Sequence, residues 1–315
     1  MIYKEANTNM EENILKFLKE AYSIGCYKVE TVTNEIYRCL AKQETFFVRI
    51  TNYKTYHEQL EEVSWTNFLC HQGVGASEAV LSSNHQYIEK IMLDEEKLAV
   101  VYKASAGIHL PRAEWNKSVL KKVGKQIGKM HRVTQSYLES TAHLKDWYEN
   151  KEYDFLTHIP KEETAIREMA DRLLTEIKGL PKNNSNYGLI HGDLWLENIL
   201  VDGSEITMID FQDCEKHFNI FDLAVPIYSA MEFSFSGGGN IKDYRQSITE
   251  ALLDGYREEH DLSKEMVDTL PLFLKLKQLF EYNLMHMYWN HEQLSEEQVR
   301  IINLYRMRME YDHFL

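Results

Sequence analysis

Between residues 188 and 211 short apolar runs enclose a dense set of polar side chains. Gly188-Leu189-Ile190 leads into His191-Gly192-Asp193-Leu194-Trp195-Leu196-Glu197-Asn198, and Ile199-Leu200-Val201 then leads, through Asp202-Gly203, to Met208-Ile209-Asp210-Phe211. The pattern predicts a strand, a loop and a hairpin whose tight turn is Asp202-Gly203. A hairpin folds its two ends together, so Asn198 and Asp210 can face one bound ion from opposite strands. An amide oxygen and a carboxylate suit a hard cation such as Mg²⁺ and leave coordination positions for phosphate oxygens and water. Asp193, five residues before Asn198, is then able to accept a hydrogen bond from an incoming hydroxyl.

The flanking sequence divides by periodicity. An opening helix carries Ile14, Leu15, Leu18 and Tyr22 on one stripe. Three segments rich in β-branched and aromatic residues follow, at 26–32, 35–41 and 45–51, with the turn-like Thr33-Asn34 and Lys42-Gln43-Glu44 between them. They predict an antiparallel meander. A helix bearing Val63, Phe68 and Leu69 ends at Gly73-Val74-Gly75, and two further strands near 87–93 and 97–102 extend the sheet. After Ala104-Ser105-Ala106-Gly107 long helical patterns take over, with Val119, Val123, Ile127 and Met130 in one and Ile166, Met169, Leu173 and Ile177 in another. Met285, Met287, Tyr288 and Trp289 are expected to be helical core. The fold class is α+β, with a small lobe over residues 1–104 and a larger, mostly helical lobe over residues 105–315.

The order His191-Gly192-Asp193, Asn198, Ile209-Asp210-Phe211 resembles the protein-kinase spacing H-R-D-x-x-x-x-N followed by D-F-G, with Gly192 in place of Arg and Gln212 in place of Gly. In this variant form the chain resembles the aminoglycoside phosphotransferase and choline kinase-like family of small-molecule kinases, from about residue 25 to 260. The resemblance implies a protein-kinase-like bilobal fold, with Asp193 as the catalytic aspartate and Asn198 and Asp210 as the Mg²⁺ ligands. It also implies that Arg49, in Phe46-Phe47-Val48-Arg49-Ile50, lies over the α- and β-phosphates of ATP. A carboxylate from the next helix should orient Arg49, and Glu62 is favoured over Glu58 and Glu61. The phosphate-covering turn would be Thr33-Asn34, where Asn34 tolerates left-handed backbone geometry in place of the absent glycines. Adenine would pair with the Lys103 carbonyl and the Ser105 amide. Phe221-Asp222-Leu223-Ala224 matches the segment whose aspartate braces the catalytic loop. His131 is expected to be a packed helix residue, not a metal ligand.

The implied function is ATP-dependent transfer of a phosphoryl group to a hydroxyl of a small molecule such as an aminoglycoside or amino alcohol. The alternative is a catalytically silent kinase-like nucleotide-binding module, motivated by the missing glycine loop and by arginine at position 49. No Walker A sequence occurs, which excludes a P-loop NTPase on motif grounds. No A-P-E stretch follows Asp210, which disfavours a protein acceptor. Trp195, within His191–Trp195, resembles the fructosamine kinase variant of the motif.

Charge narrows the partners. The chain has 315 residues with 35 Lys and Arg against 49 Asp and Glu, a net charge of −14. That disfavours nucleic acid, whose binders displace counterions with basic patches, and anionic membranes. Residues 1–106 carry net −4, residues 107–180 net +2 and residues 181–315 net −12. The acidic surplus thus lies in the half expected to hold the catalytic loop, and its field would favour a cationic, amine-bearing acceptor. The four cysteines are scattered, with no C-x-x-C pair, and the first residues are polar, so a cytoplasmic protein is expected.

Overall fold

A computed structural model describes residues 2–232 and 241–311. The helices are α1 (Ile2–Tyr22), α2 (Tyr56–His71), α3 (Lys117–Thr134), α4 (Phe155–His158), α5 (Thr164–Lys178), α6 (Phe221–Glu232), α7 (Ile241–Tyr256), α8 (Lys264–Asp268), α9 (Leu270–Tyr288) and α10 (Glu296–Glu310). The strands are β1 (Cys26–Thr31), β2 (Ile36–Ala41), β3 (Thr45–Thr51), β4 (Ile88–Met92), β5 (Glu96–Lys103), β6 (Tyr187–Ile190), β7 (Ile199–Asp202), β8 (Glu205–Met208) and β9 (Glu215–Phe218). The chain forms two compact units, one of residues 1–108, 137–144 and 200–212 and one of the remainder.

The first unit is built on an antiparallel sheet in the order β1-β2-β3-β5-β4. Strand alternation gives it two apolar faces. Phe46, Val48 and Ile50 of β3 and Ala99 and Val101 of β5 pack with Ile14 and Leu18 of α1. Val100, between the last two, points the other way and packs with Val63 of α2. Arg49 shares that second side by the same alternation, which is why a buried cation meets α2. The β7–β8 hairpin belongs to this unit: Ile108 and Val201 exchange backbone hydrogen bonds of 3.1 and 3.0 Å, and the Met208 amide donates to Gly75 at 2.9 Å. Gly203 takes φ +58° in its turn, the left-handed geometry that suits glycine.

The second unit is mainly helical. Its two-stranded sheet pairs β6 with β9, from Tyr187 opposite Phe218 to Ile190 opposite Glu215. His217 of β9 is fully buried and stacked between Trp147 (4.8 Å) and Phe221 (4.6 Å). Burial holds its pKa well below the usual histidine value, so it serves the core as a neutral aromatic. The expected cluster at the end of α9 is only partly core. Met285 is buried, whereas Tyr288 is 56% exposed and holds Glu152 through its hydroxyl at 2.7 Å. Among the described residues no helix is long and apolar enough to cross a membrane.

Helices α3 and α7 approach closely over glycines. A Cβ built on Gly124 would lie 2.0 Å from the Leu252 carbonyl oxygen, and one on Gly255 would lie 1.8 Å from that of Lys121. Backbone, not a flexible side-chain tip, occupies both places, so a methyl group there must push the helices apart. Gly255→Ala should therefore lower stability by about 1–3 kcal/mol, the typical range for overpacking. Chemical denaturation would read this as a lower midpoint, and an unchanged midpoint would contradict the close crossing.

Candidate active site

In the first unit a buried ion pair joins the sheet to α2. Arg49 is 3% and Glu62 1% exposed, and the two make a bidentate contact of 2.6 and 3.0 Å. Burial alone would lower the Arg49 pKa, but the Glu62 charge outweighs it and the guanidinium is held firmly protonated, with a smaller contribution from Asp210. The Arg49 guanidinium also lies 5.6 Å from the centroid of the Tyr102 ring. Its Nε is buried with no hydrogen-bond partner, which leaves a donor beyond the fork that Glu62 occupies.

The three neighbouring glutamates have separate tasks. Glu58 completes a capping box with Thr55 at the start of α2. Glu61 accepts hydrogen bonds from the Ser140 hydroxyl (2.9 Å), the His143 amide (2.8 Å) and the Leu144 amide (3.0 Å), and contacts His143 Nδ1 at 2.9 Å. Glu62 alone reaches Arg49.

Asp210 follows β8 with φ +64°, a left-handed conformation that non-glycine residues seldom take. The next residue, Phe211, packs edge-on to Trp65 of α2 at 5.5 Å and so anchors this bend. The β1–β2 turn differs from expectation. Asn34 is not among the described residues with positive φ, and the turn is closed instead by the Thr33 hydroxyl, which accepts from the Glu35 and Ile36 amides at 3.2 and 3.1 Å. A short hydroxyl that satisfies two amides stabilises the bend without left-handed geometry. At the end of β5 the Lys103 amide donates to the Glu78 carbonyl at 3.0 Å, its ammonium reaches the Glu78 carboxylate at 2.8 Å, and the Ser105 hydroxyl lies 3.5 Å from that of Ser77.

In the second unit Asp193 sits in the loop after β6. Asp222, the second residue of α6, is fully buried and accepts the His191 amide on one carboxylate oxygen and the Gly192 amide on the other, both at 2.9 Å. His131 Nε2 lies 3.0 Å from Asp222 and its Nδ1 2.8 Å from the Tyr256 hydroxyl. His131 is therefore a packed helix residue, as expected, and in addition a buried hydrogen-bond partner. Gly192 has φ +83°, and a Cβ there would lie 2.6 Å from the Asp213 carbonyl oxygen, so the place where the protein-kinase pattern has arginine admits only glycine.

Asn198 Nδ2 donates to the Asp193 carbonyl at 2.8 Å and to Asp193 Oδ2 at 3.3 Å. The other carboxylate oxygen, Oδ1, accepts from Lys277 Nζ of α9 at 3.2 Å, and the same ammonium meets Glu281 at 2.7 Å. Lys277 is 1% exposed. Burial would lower its pKa, but the charges of Glu281 and Asp193 outweigh that and raise it, so it stays an ammonium. Burial first, and the neighbouring charges of Asp193 and Glu232 after it, raise the Glu281 carboxyl pKa against the lowering effect of Lys277.

Sequence reasoning missed Lys277 and Glu281. Their signal is a Lys–Glu pair at i, i+4 along the same stripe as Leu270, Phe273 and Leu274, a face that is otherwise apolar. Charges on a core face need partners, and that question would have singled them out.

The model of the phosphotransferase enzyme family matches residues 30–260. An amicoumacin kinase of Bacillus subtilis (strain 168) is 24% identical over 309 residues, which span 95% of this chain and 92% of that protein. Among solved structures, an amicoumacin kinase in complex with AMP-PNP, Ca²⁺ and Ami superposes with a TM-score of 0.89 at 24% identity, over 99% of this chain and 96% of the other. A microcompartment-associated aminopropanol kinase gives 0.75 at 19% identity, with 95% of each chain covered. A spectinomycin phosphotransferase in complex with ADP and spectinomycin gives 0.63 at 16% identity, over 95% of this chain and 98% of that one.

The contrast between Glu62 and Glu58 is testable on the folded chain alone. Glu62→Ala leaves the Arg49 charge buried without its partner and should cost about 3–5 kcal/mol. Glu58→Ala removes one arm of an exposed cap and should cost no more than about 1 kcal/mol. Denaturation midpoints of the two variants would measure the difference, and equal midpoints would contradict the separation of their roles.

Proposed function

Because the chain belongs to the phosphotransferase enzyme family, we propose that it is a cytoplasmic small-molecule kinase that moves the γ-phosphoryl group of ATP to a hydroxyl of an amine-bearing acceptor. The observation that carries the reading is the posture of Asp193. Its loop is fixed from behind by two amides on Asp222, its Oδ2 is held by Asn198 and its Oδ1 by Lys277. A carboxylate 30% exposed at the head of a braced loop can still receive a hydroxyl.

The acceptor oxygen bonds to the γ-phosphorus while the bond from that phosphorus to the bridging oxygen breaks, ADP departs, and the hydroxyl proton passes to Asp193. Such transition states are loose, and the protein contributes mainly positioning and charge. Arg49, clamped by Glu62, is assigned to the inner phosphates, and its remaining Nε–H supports that assignment. The Thr33-Asn34 turn is assigned to the phosphate cover, and the Lys103 carbonyl and Ser105 amide to adenine.

Asn198 and Asp210 fit a hard cation by donor chemistry. The Asn198 nitrogen is directed at Asp193, which leaves its amide oxygen as a donor, and Asp210 supplies a carboxylate. Mg²⁺ held there would neutralise charge on the transferring phosphoryl group.

The amine-bearing acceptor is supported by the net −12 of residues 181–315 and by the acceptors in the names of similar proteins: amicoumacin, aminopropanol and spectinomycin. The silent-module alternative is disfavoured, since Asp193, Asn198, Asp210 and the Arg49–Glu62 pair are all present.

A panel of amines, amino alcohols and aminoglycosides assayed by coupled ADP detection should reveal at least one acceptor. With that acceptor, Asp193→Ala should still bind Mg·ATP, read by thermal stabilisation. Its acceptor-dependent ADP release should fall by about 10²–10⁴-fold, the range for general-base contributions. Turnover unchanged in Asp193→Ala would sink the assignment.

A further inference from the structure

Helix α9 brings a cation to the carboxylate on which the proposed reaction turns. Lys277 Nζ is 3.2 Å from Asp193 Oδ1 and 2.7 Å from Glu281 Oε1, and it lies 5.2 Å from the ring centroid of Trp195 and 5.1 Å from that of Phe280. Burying an ammonium to 1% exposure is costly unless its hydrogens and charge are matched. Here two carboxylates take hydrogens and two aromatic faces border the remainder, so the ammonium has one place to stand. Trp195 is itself fixed: it meets Tyr228 of α6 edge-on at 5.9 Å, and its amide donates to the Asp193 carbonyl at 2.9 Å. The tryptophan in the catalytic loop thus acquires a task, as the shelf on which Lys277 rests.

We propose that Lys277, seated by Glu281 and Trp195, is a positioning residue for phosphoryl transfer, holding Asp193 Oδ1 so that Oδ2 is presented to the acceptor hydroxyl. The proposal rests on the kinase reading above. Asp193 has two oxygens and one task. With Oδ1 tied to Lys277 and Oδ2 bordered by the Asn198 amide at 3.3 Å, rotation about its Cβ–Cγ bond is restrained from both ends. Without the ammonium the carboxylate can turn toward Asn198 and leave the line of attack. Misplacement of a reacting group by about 1 Å is enough to cost roughly 10²-fold in rate. Glu281 is needed because a lysine on so long a stem would otherwise swing away from Asp193. It also keeps the charge of the buried group balanced.

The test compares wild type, Lys277→Met, Lys277→Arg and the double variant Lys277→Met/Glu281→Gln, using an acceptor the wild-type chain turns over. Lys277→Met should lower kcat by about 10²-fold with KM for ATP unchanged, since the side chain acts on Asp193 and not on the nucleotide. Lys277→Arg, which restores a cation, should recover part of the loss. The double variant removes one positive and one negative charge together, so it guards against a simple folding defect and should show the same fall in kcat. Single-turnover transfer from radiolabelled ATP in an Asp193→Asn background gives the decisive comparison: there Lys277→Met should add no further loss. Wild-type kcat in both variants lacking the ammonium, or an equal further loss in the Asp193→Asn background, overturns the proposal. If the wild-type chain binds Mg·ATP but turns over no acceptor, the kinase reading fails first and this proposal falls with it.

Discussion

Asp222 is a carboxylate with no access to water, and the loop that carries Asp193 hangs from it. A buried charge without donors would be costly, so the backbone must bring amides to it, and those of His191 and Gly192 are the ones supplied. This requirement passes outward. Gly192 takes a positive φ where a side chain would meet the Asp213 carbonyl, and His131 must be drawn from α3 to share the carboxylate. His131 is in turn held by Tyr256 of α7, the helix that crosses α3 over glycines. Helix crossing, buried tyrosine, histidine and aspartate form one connected support for a loop of a few residues.

Much of this was legible in the residues. Strand alternation in β3 put Arg49 opposite Val48 and Ile50, and the position of α2 immediately downstream limited its partner to three glutamates. The polar residues around β6, β7 and β8 carried the family resemblance, and the family model covers the same stretch. The remainder was hidden for physical reasons. Lys277 meets Asp193 across 84 positions of sequence, and no local pattern encodes a contact of that span. Glu61 and Glu62 are neighbours in sequence and nearly equal in burial, and only the rotation of α2 sends one to the 140–144 segment and the other to the sheet. At the β1–β2 turn, the left-handed conformation expected of asparagine is made unnecessary by a threonine hydroxyl.

The uneven charge of the chain also gains a local meaning. Residues 181–315 are strongly acidic, and several buried or half-buried carboxylates among them are each met by a cation. Lys277 stands between Asp193 and Glu281, and Arg308 of α10 meets Glu232 at the end of α6 at 2.6 Å. Lys277 and Arg308 thus offset charge locally, while the net negative charge of the stretch sets up a field that salt screens beyond roughly 8–10 Å.

Helix α2 is fastened on three sides by glutamates within a single turn and a half. Its first turn is sewn by Thr55 and Glu58, one flank is tied to the 140–144 segment through Glu61, and another is tied to β3 through the Glu62 fork. Rotating or sliding the helix would break a buried ion pair and a set of backbone hydrogen bonds in the same movement, with no exposed surface gained to offset either. Such a helix makes a poor lever. A chain built this way gives α2 no low-cost route to a posture in which Arg49 is released, because such a movement would leave a buried guanidinium without its partner.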